Sequence, residues 1–214
     1  MIARKQQILQ FQASQNVSRE TMDKLERFEA LLLKWNHSIN LVSRNTIDDV
    51  WQRHFLDSAQ LWGQRPLNAR TWLDIGSGGG FPGLVVAILA AEEDNQIKVV
   101  LVESDIRKSA FLIKVSQELG LNTEILTERA EDLVPQRADI ISARALAPLV
   151  KLLEFSLQHG KGSTVHLFSK GKNAELELTE ARKYWTFKLQ KTPSISDSTG
   201  KILKIEGLGR VKHE

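Results

Sequence analysis

Apolar residues in the first third of the chain recur at helical spacing. After Ser18, the residues Leu25, Phe28, Leu32, Trp35 and Ile39 follow one another at steps of three and four. That spacing lays them along one face of an α-helix. Ser18 suits the N-cap and Glu20 the first turn of that helix. A second helix is predicted from about Thr46, with Asp48 and Asp49 early and with Val50, Trp51, Phe55, Ser58 and Leu61 or Trp62 turned inward; Gly63 and Pro66 close it. Residues 1–66 therefore read as a helical cap on a second unit, 67–214.

From Arg70 the period changes. Short, largely apolar runs at 70–75, 99–103, 123–127, 138–142 and 164–168 read as strands. Helical stretches near 83–92, 107–119, 129–133 and 147–158 separate them. Strands that are apolar throughout and alternate with helices predict a parallel sheet covered on both faces, wound by right-handed crossovers. A polar helix near 173–183 follows, and then two strand-like runs, 185–190 and 202–206. The polar loop 191–200 between them, read as mobile, is too short for a helical crossover, so the two runs must pair antiparallel. Five parallel strands finished by an antiparallel hairpin are the layout of the class I S-adenosylmethionine (SAM) methyltransferases, a Rossmann-like α/β fold with seven strands, here carrying an N-terminal helical extension.

The densest signal lies where the first strand ends. Asp74-Ile75-Gly76-Ser77-Gly78-Gly79-Gly80-Phe81-Pro82-Gly83 places five glycines in eight residues, and the apolar run 84–91 follows. Strand, glycine turn and helix in that order make room for a nucleotide-like ligand at the carboxyl end of an open sheet. The G-x-G-x-G spacing differs from the dinucleotide G-x-G-x-x-G. Gly76, Gly78 and Gly80 are the expected cofactor-facing glycines, and the Asp74 carboxylate suits the ammonium group of SAM. Glu103, ending the second strand, can accept from both ribose hydroxyls of an adenosine, or stand as a solvated strand end. Ala130-Glu131-Asp132 falls where a third loop would meet the adenine; its acids equally suit the first turn of a helix. Arg144 and Lys170, after the fourth and fifth strands, are the candidate catalytic residues beside an acceptor, with catalysis resting mainly on proximity.

Composition narrows the chemistry. There is no cysteine, which excludes disulfides, thiolate metal sites and a cysteine nucleophile. The five histidines are scattered, so no metal site is expected. The formal charge of +3 permits a nucleic-acid partner without requiring one. The longest apolar run is too short to cross a bilayer and the start lacks a signal-peptide core, so a cytoplasmic protein without a membrane partner is expected. The Asn/Asp-Pro-Pro-aromatic turn of many amine methylases is also absent; Ala143-Arg144-Ala145-Leu146 stands in its place. An acceptor with a free lone pair needs neither device, and guanine N7 is such an acceptor.

Asn40-Leu41, Arg53-His54-Phe55-Leu56-Asp57-Ser58, the turn ending Phe81-Pro82-Gly83, Ala130-Glu131, Ser142-Ala143-Arg144-Ala145 and Lys170-Gly171 together resemble the bacterial small-subunit ribosomal RNA methyltransferase G family, also called glucose-inhibited division protein B. The resemblance runs from about residue 25 to the end. It implies SAM-dependent methylation of a guanine N7 in 16S ribosomal RNA, near the decoding centre; a monomer is expected, with free RNA and the 30S subunit both open as substrate. It implies cofactor contacts at Gly76, Phe81, Ala130, Glu131 and Arg144, with Glu103 at the ribose position, where the family varies. The chain departs from the family at Ser142-Ala143-Arg144, where many members run Ser directly into Arg. Arg53, His54 and Asp57 carry two readings, a buried polar network joining cap to sheet or direct RNA contact. Basic residues such as Arg4, Lys5, Arg19, Arg44, Arg53, Lys170, Lys172, Arg210 and Lys212 are candidates for phosphate contact. Two other classes remain open: a non-enzymatic RNA-binding or ribosome-assembly factor that retains SAM, and an NAD-type oxidoreductase.

Overall fold

The apolar runs of the middle third become the centre of a seven-stranded sheet. The computed structural model describes residues 2–93 and 96–212, with side chains from Arg4 onward. The strands are β1 (Thr71–Ile75), β2 (Lys98–Val102), β3 (Thr123–Leu126), β4 (Ile140–Arg144), β5 (Val165–Lys170), β6 (Trp185–Pro193) and β7 (Lys201–Arg210), in the spatial order β3-β2-β1-β4-β5-β7-β6. The first five run parallel, and β7 pairs antiparallel with both β5 and β6. The order reverses between β1 and β4, and an open α/β sheet binds its ligands outside the carboxyl ends of strands at such a switch point.

The cap consists of α1 (Ile2–Gln15), α2 (Arg19–Asn36), a 3-10 turn (Arg44–Thr46) and a π-helical segment (Trp51–Leu56) running into α3 (Asp57–Trp62). Ser18 caps α2 as its sequence predicts, accepting from the Thr21 N–H at 3.1 Å. Leu25, Phe28 and Leu32 are buried on the predicted face. They meet α4 (Gly83–Glu92), which is buried on every side because the sheet covers one face and the cap the other. That position explains a helix without a polar face. On the same side lies α5 (Ile106–Leu119), while α6 (Leu149–His159) and α7 (Ala174–Ala181) cover the opposite face with a second core.

Three local expectations need correction. The stretch 129–133 is not a helix; Ala130–Asp132 form a turn. The fourth strand sits two residues later than its sequence suggests, because the Asp139 carboxylate is spent accepting from the Arg70 and Thr71 N–H groups at 2.9 and 3.0 Å. Arg144 is thereby the last residue of β4, paired with Ser169 of β5. The loop 191–200 is shorter than expected, since β6 continues to Pro193. Its remainder is tied to the cap: Ser194 and Ser196 donate to Asp57 Oδ1 at 2.9 and 3.1 Å, and the Ile195 N–H donates to Gln60 Oε1.

Candidate functional site

Two cavities open at the carboxyl ends of the parallel strands. One, of about 540 Å³, is lined by the glycine turn, Glu103, the 128–131 loop and residues 144–147. The other, of about 520 Å³, is lined by residues 144–147, by Arg53, His54 and Asp57 of the cap, and by the 194–201 segment. Both are within the usual size of a small-molecule pocket. Arg144, Ala145, Leu146 and Ala147 line both, so a single loop is the wall between them.

The first cavity is built by the turn after β1. The Gly76 and Ser77 N–H groups donate to Val102 O at 2.9 and 3.0 Å, folding the turn over the end of β2. Gly78 has φ +54°, a conformation that disfavours any side chain, and its N–H donates to Glu103 Oε2 at 2.9 Å. The other oxygen of Glu103 accepts from the Asp105 N–H. Glu103 thus presents an oriented carboxylate at the cavity, as ribose recognition requires. Gly76, Gly78, Phe81, Glu103, Ala130, Glu131 and Arg144 all line this one space.

Asp74 and Gly80 stand apart from it. Asp74 is fully buried, and its two oxygens are engaged by the Ser142 hydroxyl at 2.7 Å and the Gly83 N–H at 3.1 Å. Ser142 in turn accepts from Trp72 Nε1 at 2.8 Å. Burial pushes the Asp74 carboxyl up to about 6, against the pull of these hydrogen bonds. This carboxylate therefore stitches β1, β4 and the start of α4 together rather than meeting a ligand ammonium. A Cβ on Gly80 would run into Leu84 and Phe28, so that glycine is required by packing under the cap.

The wall between the cavities is strained and braced. Ala145 has φ +52°, unfavourable for a residue with a Cβ. Leu146 packs so closely on Gly76 that a Cβ there would lie 2.6 Å from it. Lys170 Nζ donates to Ala147 O at 2.6 Å and to Glu177 Oε2 at 2.7 Å, and Glu177 also accepts from the Leu149 N–H. With only 8% of its side chain exposed, Lys170 is spent on holding this loop. It lines the second cavity with its ammonium already committed to these two acceptors.

Arg144 differs. Its Nη1 donates to Arg53 O at 3.2 Å, and its guanidinium lies 5.3 Å over the Phe81 ring. Burial, with the like charge of Arg53, holds it below the ordinary arginine value, while Asp57 and Asp74 act against that. Beside it, His54 is pushed down to about 3, by burial first and then by Arg144 and Arg53, so it is neutral at pH 7. Thr46 gives its hydroxyl proton to Ser43 O, so His54 Nε2 carries the hydrogen of their 2.9 Å contact and the buried Nδ1 is a bare acceptor without a hydrogen-bond partner among the described residues. The cap signature divides accordingly: Asp57 belongs to the buried network with the hairpin loop, while half-exposed Arg53 faces the second cavity. Arg4 is engaged by the buried Glu29, and the guanidinium of exposed Arg210 lies over the Trp185 ring. Among the described residues no group of three or more His, Cys, Asp and Glu is placed to hold a metal ion.

Several lining residues escape sequence reasoning. Leu41 reaches the first cavity because Asn36 Oδ1 accepts from the Leu41 and Val42 N–H groups at 2.8 and 2.9 Å and folds the loop back. The Asn40-Leu41 pair in the chain is the one available signal for it. Leu146 and the acidic residue Asp197 carry no such signal.

Comparison with known proteins agrees with this geometry. At the level of fold, a SAM-dependent methyltransferase from Aquifex aeolicus superposes with a TM-score of 0.57 at 15% identity, covering 83% of this chain and 97% of that one. Mitomycin 7-O-methyltransferase superposes at 0.58 and 14% identity, covering 92% and 70%. In sequence, the ribosomal RNA small subunit methyltransferase G of Cereibacter sphaeroides is 47% identical over 199 residues, 93% of this chain and 97% of the relative. The protein of the same name from Rhodospirillum centenum is 48% identical over 195 residues, 91% and 88%. The family model described as rRNA small subunit methyltransferase G matches residues 21–205, which hold the cap signature, the glycine turn and the wall between the cavities, and so the chain belongs to that family.

Proposed function

We propose that the protein methylates N7 of a guanine in 16S ribosomal RNA, with SAM in the first cavity and the guanine in the second. Membership of the family makes the chain a SAM-dependent methyltransferase of small-subunit ribosomal RNA. The proposal concerns the atom methylated, the residues involved and the form of the substrate. Its main support is the shared wall: a loop lining both cavities lets two ligands meet end to end, as direct transfer of a methyl group requires.

The residues present fit the cofactor. Glu103 offers its carboxylate to the ribose, the backbone at Ala130 and Glu131 faces the adenine, and Gly76, Phe81 and Arg144 take the methionine end. Bound there, SAM supplies an electrophilic methyl group on a sulfonium centre. Guanine N7 carries no proton, so no residue needs to act as a base. Neutral His54 and the cations Arg53 and Arg144 suit that requirement, the latter two by holding phosphate or the O6 edge. Both cavities are complete within one chain, which supports action as a monomer. The protein works in the cytoplasm on RNA already folded in the 30S particle.

Labelled methyl transfer to naked 16S RNA and to 30S particles, with the product mapped by mass spectrometry, tests the proposal. Label at guanine N7, faster on particles, is the expected result. Label on another atom, or none, would overturn it.

A further inference from the structure

Three carboxylates line the acceptor cavity: Asp57, Glu177 and Asp197. Two are already committed. Asp57 is buried beneath the hydroxyls of Ser194 and Ser196, and Glu177 is held by Lys170 and the Leu149 N–H. Asp197 is different. Its Oδ1 accepts from both the N–H and the hydroxyl of Thr199 at 2.8 Å, which fixes the side chain. Its Oδ2 has a loose approach from Arg53 Nη2 at 3.9 Å, with both side chains more than a third exposed, and makes no hydrogen bond among the described residues. An ion pair of that kind adds little to stability. The Thr199 hydrogen bonds, with Arg53 in support, keep this carboxyl below its ordinary value, so it is ionised and accepts only.

We infer that Asp197 selects guanine by accepting from the N1–H and N2–H groups of its Watson–Crick edge. This rests on the reading that guanine is the acceptor. Guanine presents two adjacent donors on that edge, and adenine pairs its one donor with an acceptor, so a fixed carboxylate discriminates between them. Enzymes acting on a base take it out of its stack and read it in this way. The placement agrees. N7 lies on the opposite side of the purine from N1 and N2, and Asp197 lines the acceptor cavity but not the cofactor cavity. The loop that carries it is anchored to the cap through Asp57 and Gln60, so the carboxylate is oriented before RNA arrives.

The test compares wild type with Asp197→Asn on reconstituted 30S particles whose 16S RNA carries guanosine or inosine at the target position. Inosine keeps N7 and N1–H but lacks the N2 amine. The asparagine retains an oxygen for Thr199, so the turn survives, and SAM affinity by calorimetry should equal wild type. Wild type is expected to favour guanosine in kcat/KM by about tenfold or more, and the variant to lose that preference along with a similar factor of activity on guanosine. The guanosine-to-inosine ratio is taken within one enzyme, so partial inactivation of the variant cancels. A variant that keeps the wild-type ratio overturns the role of Asp197. Failure of wild type to methylate guanine N7 at all overturns the assignment of the acceptor, and the selection of guanine with it.

Discussion

Asp74 is ionisable and sealed from water, so its energetics depend on pH. Its folded value of about 6 lies above the ordinary carboxylate value, and the native state therefore keeps a proton that the unfolded chain has lost. Raising the pH from about 4 to about 6 then costs stability, on the order of 3 kcal/mol from this group. His54 and His166 act in the opposite sense. Burial lowers them to about 3 and about 4, so the unfolded chain binds their protons first, and raising the pH towards 6.5 adds stability. Asp74→Asn removes the opposing group. Urea denaturation across pH 4 to 6.5 should show stability rising more steeply in the variant than in wild type, and parallel profiles would refute this account. Ala145 offers a second test at the same scale. Exchanging Ala for Gly ordinarily costs about 0.5–1 kcal/mol in a regular element. At φ +52° the exchange relieves strain of about 1–2 kcal/mol instead. Ala145→Gly should be as stable as wild type or more stable by up to about 1.5 kcal/mol, while methyl transfer slows severalfold because the wall between the cavities loses its fixed shape.

The loop after β3 shows how one element is held by another. The Ala130 carbonyl accepts from His159 Nε2 at 2.7 Å, and Gln158 Nε2 donates to Glu131 O and Leu133 O at 3.2 and 2.9 Å. The last turn of α6 thus fixes the backbone proposed to face adenine. Gln158→Ala removes two neutral hydrogen bonds, each contributing about 0.5–1.5 kcal/mol. SAM affinity by calorimetry should fall by about fivefold to a hundredfold, with kcat at saturating SAM little changed; a fall in kcat alone would place Gln158 elsewhere in the mechanism. This loop also marks where sequence reading reaches its limit. The inner parallel strands and α4 are legible because burial on both sides makes them largely apolar. The glycine turn is legible because positive φ at Gly76 and Gly78 leaves its mark on composition. Ala130–Asp132 reads as a helix start because its acids suit one, yet the deciding contacts come from residues almost thirty positions away. Lys170 looks like a free cation in the sequence, and only its pairing with Glu177 and the Ala147 carbonyl reveals a brace. Asp74 is read in the sequence as the partner of a ligand ammonium, since nothing local shows that Ser142 and Gly83 converge on it.

At the scale of the whole molecule, the boundary near residue 66 is a boundary in the chain and not in the core. A fully apolar α4 already signals in the sequence that something must cover its outer face, and the cap is that cover. Phe28 of α2 stacks on Phe81 at 5.2 Å, Phe55 meets the same ring edge-on at 5.3 Å, and Trp62 stacks on Trp72 of β1 at 6.2 Å. Phe11, Leu25, Leu32 and Trp51 share one buried cluster with Leu84, Ile88 and Phe111. A unit that folds alone needs its own closed core, and residues 67–214 without the cap would expose this face of α4 to water. Phe81 would also lose the rings that fix it, and with it the shape of the glycine turn. The cap is therefore part of the cofactor site although it supplies little more to that cavity than Leu41. A fragment of residues 67–214 should bind a dye specific for exposed apolar surface, unfold without a cooperative transition and show no measurable SAM binding by calorimetry. Cooperative unfolding together with SAM affinity equal to that of the full chain would mean that the sheet closes its own core and that the cap serves RNA alone.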